Sequence, residues 1–229
     1  VSPAGSLAAA YGQRRYAVLF YTLLVTLGAG PLLAALQFST DLLQILLVFS
    51  LLAALLGVPG QWWRALLMVV AAIAVGLRAA PTAAVGSGLA SGALALACAI
   101  ALLAAASALR FAMSTAGADA AHLYAEHLYA ALSVYLLAGL LFGVLHWTLE
   151  EVWPGSLTDT AASAAGASFP LPTAIYYSFV TLATLGYGDV VPRTELARGV
   201  AVLEAVGGQL YVAVLVAKLV GARLPTPSR

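Results

Sequence analysis

Charge is what this chain has least of. Of its 229 residues only 8% are Asp, Glu, Lys or Arg, while 63% are hydrophobic. A soluble domain carries roughly 25% charged residues. The mean hydropathy is +1.00, so a water-soluble globule would have to bury nearly the whole chain. The formal net charge of +1 gives no strong attraction to nucleic acid. The single cysteine, Cys98, excludes an internal disulfide and, inside an apolar run, reads as a small buried residue. Lysine is nearly absent, Lys218 standing against nine arginines, and alanine is abundant, as in GC-rich prokaryotic genomes. Arg14 and Arg15 precede an apolar stretch too long for a signal-peptide core and without a small-residue cleavage site, so no cleavable leader is expected.

The missing charges are missing in blocks. None falls between Arg15 and Asp41, between Arg78 and Arg110, or between Glu126 and Glu150. About 20 apolar residues cross a bilayer as a helix, and turn-forming strings such as "QFSTD", "GVPGQ" and "RAAPT" separate the runs. The pattern predicts an all-α membrane protein with six spans, at Tyr16–Leu36, Asp41–Val58, Arg64–Ala80, Ala84–Leu109, His127–Leu149 and Leu196–Val220. With the N-terminus cytoplasmic, Arg14, Arg15, Arg64, Arg110, Lys218, Arg223 and Arg229 lie inside, and Arg78, Arg193 and Arg198 outside. That excess sets both termini in the cytoplasm. Trp62 and Trp63 then fall at the inner boundary, and Trp147 and Trp153 at the outer one. The chain divides into a four-helix part (1–109), an amphipathic cytoplasmic linker (110–126), a region holding the last two spans (127–220) and a short cytoplasmic tail (221–229). In the linker His122 and Glu126 are spaced to pair on a helix face. With a tail as short as "GARLPTPSR", no nucleotide- or calcium-sensing domain is expected after the last span.

Between the last two spans the chain does something other than loop. After a polar, small-residue stretch, Glu150–Gly166, comes "FPLPTAIYYSFVTLATLGYGDVVP". Thr173 is a plausible N-cap, and Ala174–Ala183 would make about 15 Å of helix at 1.5 Å per residue. That is half of a bilayer core of about 30 Å. The segment is expected to re-enter the membrane, stop midway and return without helix. Irregular backbone at that depth survives only when buried in protein or lining a watery cavity. For successive carbonyls to point one way, dihedrals must alternate in hand, every second residue taking φ > 0, as glycine does freely. Gly186 and Gly188 have that spacing. Such a column, with the Thr184 hydroxyl, is an oxygen cage for a dehydrated monovalent cation. One strand cannot enclose an ion, so the chain is expected to oligomerise with closed symmetry.

The string "TLATLGYGD" resembles the signature of the potassium-channel pore family, in which four filter loops supply rings of carbonyls that replace an ion's hydration shell. The resemblance covers roughly His127 to Val220 and implies a homotetramer in the plasma (inner) membrane that conducts K+ passively. It implies Thr184, Leu185, Gly186 and Tyr187 as carbonyl donors, with Gly188 and Asp189 completing the filter at its outer mouth. Leu185 replaces the usual valine, Ala183 a common threonine, and Val180 a glutamate found in some members. Tyr176 and Tyr177 stand where many members carry a Trp pair, and Tyr177 is expected to hydrogen-bond Asp189. Gly208 aligns with the family's gating hinge, beside Gly207. Close packing against the pore helix explains the same glycines equally well, given that helix-interior glycine costs up to ~1 kcal/mol.

Other inner-helix positions invite roles. A carboxylate within a span is costly and often functional, so Glu204 is expected either to be protonated or to bond the pore helix of its own or a neighbouring subunit. Gln209, Val212 and Val216 are candidates for a cavity wall. Glu150 and Glu151, near His146, suggest an acidic vestibule that concentrates cations. No nucleophile or metal-ligand spacing joins them, so an enzyme is not expected. No cofactor or nucleic-acid partner is expected either, only potassium as permeant ion, lipid, and further copies of the chain. Voltage sensing needs several charges in the field, and the fourth span offers only Arg110 at its end, so no voltage sensor of the arginine-ladder type is expected. A weakly selective cation channel and a non-conducting membrane scaffold are the alternatives.

Overall fold

The computed structural model describes residues 16–29, 120–160 and 169–221, with single positions 14, 32, 69, 95, 96, 99 and 106. Apart from those positions, the expected second, third and fourth spans lie outside the described residues, as do residues 110–119 of the linker and the tail beyond Gly221. The described elements run in the order α1 (Tyr16–Ala29), α2 (Ala120–Val152), β1 (Leu157–Asp159), α3 (Leu171–Leu182), β2 (Val190–Pro192) and α4 (Glu195–Gly221).

Helix α2 is 33 residues long and contains no proline to interrupt it. Its Ala125–Val152 stretch and α4 are both long and apolar enough to cross a membrane. It begins at Ala120, ahead of the span expected from His127, so residues 120–126 of the expected linker are helical and continuous with it. Glu126 turns toward α1, where Oε2 accepts the Tyr16 N–H at 3.2 Å. At the other end Pro154 and Gly155 stop the helix, Gly155 taking φ 89°.

Helix α3 starts earlier than its sequence suggests. Pro170 occupies the N-cap position and a proline fills the first turn. Pro has no N–H to satisfy there and its φ is already helical, so Thr173 is not needed as a cap. The 12 residues of α3 make about 18 Å of helix, a half-crossing. Helix α4 is capped by Thr194, whose Oγ1 accepts the Ala197 N–H at 3.3 Å.

The core is a junction of α1, α2 and α3. Leu19 and Leu23 of α1, Leu137, Leu140 and Val144 of α2, and Leu171, Ala174 and Ile175 of α3 form one buried cluster. Small residues bring α2 and α3 together. A Cβ on Gly139 would stand 2.5 Å from the Phe179 ring, and one on Gly143 2.9 Å from the Ile175 Cα. Trp147, expected at a membrane boundary, is buried in this cluster instead, while Trp153 is exposed.

The polar stretch after α2 holds structure that the sequence did not announce. β1 pairs antiparallel with β2, with Leu157 opposite Pro192, Thr158 opposite Val191 and Asp159 opposite Val190. The Thr160 N–H reaches the Asp189 carbonyl at 2.7 Å, and the Arg193 N–H reaches the Ser156 carbonyl at 2.8 Å. The otherwise helical architecture thus includes a two-stranded clasp.

Candidate functional site

The backbone between α3 and β2 alternates in hand. Thr184 has φ 57°, Gly186 φ 58° and Gly188 φ 79°, so the residues with positive φ are spaced by two. Glycine meets this demand without strain. Thr184 does not, since a β-branched residue at positive φ is an outlier. Sparsely populated conformations persist where the surroundings over-determine them and cluster at functional sites. Here the Thr184 N–H is held by the Thr181 carbonyl at 2.9 Å and the following Leu185 N–H by the Val180 carbonyl at 2.8 Å. Gln209 Nε2 of α4 donates to Thr184 Oγ1 at 3.4 Å. Between described residues, no backbone hydrogen bond is accepted by the carbonyls of residues 184–188. A run of backbone oxygens with alternating dihedrals thus follows directly on the end of a half-length helix. Leu185 and Tyr187 remain exposed, at 56% and 67%.

Beyond the run, the aspartate is anchored by the neighbour of the tyrosine expected. The Tyr176 hydroxyl donates to Asp189 Oδ2 at 2.6 Å. Tyr177 is instead buried against Leu157 and Val190, with its ring edge-on to His146 at 4.8 Å. Successive helix residues point about 100° apart, so one can face Asp189 only if the other turns into the core. Chiefly the Tyr176 hydrogen bond, with the Val190 N–H adding and slight burial opposing, holds the Asp189 carboxyl below the usual carboxylate range. A depressed folded-state pKa contributes stability above the unfolded value that is lost as pH falls through the folded one. Wild type should therefore exceed Tyr176→Phe in thermal stability at neutral pH, and the two should converge in acid. Tyr177→Phe should keep the wild-type pH dependence. A gap between wild type and Tyr176→Phe that stays constant with pH would show that the Asp189 bond is not its source.

Gly207 and Gly208 separate cleanly. A Cβ on Gly208 would lie 2.7 Å from both Leu182 Cδ1 and the Leu182 carbonyl oxygen, whereas one on Gly207 meets nothing within 4 Å. Gly208 is therefore where α4 touches the end of α3. Val212 and Val216 are exposed along α4, which places them on a face left open by the chain.

Glu150 has a local task. Its Oε1 accepts the Gly155 N–H and its Oε2 the Leu157 N–H, each at 2.8 Å, so its carboxylate ties the end of α2 to β1. Glu151 is exposed. His146 does not join them near the surface. It is fully buried, and its Nε2 lies 2.8 Å from Glu204 Oε2. Glu204, equally buried, also contacts Ser178 Oγ through Oε1, and Ser178 Oγ lies 2.7 Å from the Gly139 carbonyl. Glu204 thus bonds α3 of its own chain. Sequence reasoning placed Glu204 but missed His146 and Ser178 as its partners. A histidine in a charge-free span was the available signal. Among the described residues no group of His, Cys, Asp or Glu could hold a metal ion.

Comparisons agree with this geometry. Residues 130–222 match a family model described as an ion channel. A two pore potassium channel c of Oryza sativa subsp. japonica is 36% identical over 87 residues, covering 38% of this chain and 18% of that protein. The inward rectifier potassium channel Kirbac3.1 of Paramagnetospirillum magnetotacticum is 33% identical over 99 residues, covering 42% of this chain and 28% of its own. The chain thus spans less than a third of the length of these curated relatives. No solved structure matches. The family-model match runs from within α2 to just past the end of α4, the two helices long and apolar enough to cross a membrane.

Proposed function

We propose that this chain, whose residues 130–222 match an ion-channel family model and which is similar in part to two potassium channels, assembles as a homotetramer and conducts K+ passively and selectively. The observation that carries this reading is the alternation of positive φ at Thr184, Gly186 and Gly188 directly after a half-crossing helix. Four such segments around an axis would surround a dehydrated ion with the carbonyls of Thr184, Leu185, Gly186 and Tyr187. Gly188 and Asp189 would form the mouth, and the partially negative C-terminal end of α3 would face the ion path. Gln209, Val212 and Val216 would then line a cavity below, and Glu151, with what charge Glu150 leaves free, would draw cations to the entrance.

The exposure of α4 supports assembly. Only 11% of its apolar window is buried within the chain, against 50% for α2. Val202, Leu203, Val206 and Leu210 are each more than half exposed. Lipid alone could cover such a face. Yet α4 also carries Gln209 and the Thr184 contact, polar groups that lipid cannot satisfy. A central watery path shared by copies accommodates both.

The six-span layout, plasma-membrane location and cytoplasmic termini complete the proposal, resting on hydropathy and on the bias of basic residues. So does gating without a charged voltage sensor, since the expected fourth span holds no arginine ladder. Residues 1–109 then serve as a membrane-embedded domain beside the pore region, 127–220.

Purified protein in liposomes should pass K+ and Rb+ and largely exclude Na+, and should migrate as a tetramer after cross-linking. Comparable Na+ flux would favour a weakly selective cation channel. The absence of any flux from correctly assembled protein would favour a non-conducting scaffold.

A further inference from the structure

The junction of α2, α3 and α4 has a hydrogen-counting problem with one tidy answer. Ser178 Oγ sits 2.7 Å from the Gly139 carbonyl and also against Glu204 Oε1. A serine hydroxyl has a single hydrogen, and a carbonyl can only accept. If that hydrogen goes to Gly139, the contact with Glu204 needs a hydrogen from the carboxyl group. The other carboxyl oxygen, Oε2, lies 2.8 Å from His146 Nε2. His146, Ser178 and Glu204 are all 0% exposed.

We propose that Glu204 is held as a neutral carboxylic acid, and that with His146 and Ser178 it forms a closed chain of hydrogen bonds positioning the pore helix. His146 Nε2–H donates to Glu204 Oε2, Glu204 Oε1–H donates to Ser178 Oγ, and Ser178 Oγ–H donates to the Gly139 carbonyl. The chain leaves α2, crosses α4 and α3, and returns to α2. Every donor in it is used and its net charge is zero.

The ionised alternative satisfies less. A carboxylate would compete with Gly139 for the one Ser178 hydrogen. A protonated His146 would bury a second N–H at Nδ1, which has no hydrogen-bond partner. With neutral His146, Nδ1 carries only a lone pair, and a buried unmet donor is avoided. Among the described residues the ionisable side chain seen against the cluster is Tyr177 from α3, edge-on to His146. Among the described residues no cation besides His146 pairs with Glu204.

The position matters for the residues next door. One turn beyond Ser178 is Leu182, under Gly208, and the Val180 carbonyl between them holds the Leu185 N–H. A pore helix tied at Ser178 therefore fixes where the alternating run begins. His146, Ser178 and Glu204 act through the backbone and touch no ion.

Glu204→Gln discriminates. Its amide can donate to Ser178 Oγ and its carbonyl can accept from His146, so every bond in the chain survives. Glu204→Gln should keep the wild-type tetramer and, in liposomes, the wild-type ratio of K+ to Na+ flux. Glu204→Ala and Ser178→Ala, which break the chain of bonds, should lower that ratio severalfold. The flux arm rests on the proposed conduction. Infrared difference spectra of purified protein do not, and should show a protonated-carboxyl carbonyl band in wild type that Glu204→Gln lacks. If the difference contains carboxylate bands instead, or Glu204→Gln lowers the flux ratio as Glu204→Ala does, the neutral-acid assignment is wrong. If wild type passes no ions, the conduction reading fails and the spectra alone decide this one.

Discussion

Gly186→Ala is expected to abolish K+ flux while leaving the protein able to reach the membrane. Gly186 has φ 58°, and an L-residue in that region costs roughly 1–2 kcal/mol. In a fourfold assembly the penalty recurs in every subunit, about 4–8 kcal/mol per channel on the same scale. Within one chain a Cβ at Gly186 meets nothing within 4 Å, so the effect comes from the dihedral and from crowding at the symmetry axis. Leu185→Ala is the matched control. Leu185 is not among the residues with positive φ, and a carbonyl is unchanged by truncating the side chain behind it. It should conduct with at most modest loss of selectivity. Flux assays on both variants, with Gly186→Asp as a harsher companion, check this. Undiminished flux through Gly186→Ala would remove the alternating backbone from any account of conduction.

Gly208→Ala should be the more damaging of two neighbouring substitutions in α4. The added methyl would meet Leu182 Cδ1, which can move, and the Leu182 carbonyl, which cannot without moving α3. Overpacking of this kind typically costs about 1–3 kcal/mol. Gly207→Ala meets no atom and should be neutral or stabilising by up to ~1 kcal/mol, the difference in helix propensity. Thermal unfolding of the purified assembly ranks the two. Adding Leu182→Ala to Gly208→Ala should recover part of the loss, since the side-chain clash is relieved and the carbonyl clash is not. A hinge role at these glycines makes another forecast: altered gating with unchanged unfolding. If Gly208→Ala unfolds at the wild-type midpoint, close packing does not explain this glycine.

How much of this could be read from the chain depended on whether the signal was local. The half-length helix and the glycines at 186 and 188 stood out because irregular, small-residue backbone is anomalous inside an apolar sequence. The left-handed Thr184 did not, since its side chain carries no hint of strain. Glu204 announced itself by being the lone carboxylate in its span. Its partner His146 lies 58 residues away, and no spacing rule connects them. Tyr176 was passed over for Tyr177 because the facing depends on where α3 starts. The β1–β2 pair was invisible for a different reason. Three-residue strands are too short to show a periodicity, and their register arises only when the chain has already returned. The expected vestibule paired Glu150 with Glu151 as equals. Glu150 turned out to spend both carboxylate oxygens on backbone amides, a use that depends on the turn at Gly155.

The clasp between β1 and β2 gives the outer end of α2 a mechanical route to Asp189. The link is made of main-chain bonds, supplemented by the Thr160 hydroxyl, which donates to the Asp189 carbonyl at 2.8 Å. Tension on α2 would therefore arrive at Asp189 rather than dissipating in a slack surface loop. Side-chain truncations along the strands would leave that transmission largely intact. Proline, which removes a backbone donor, would interrupt it.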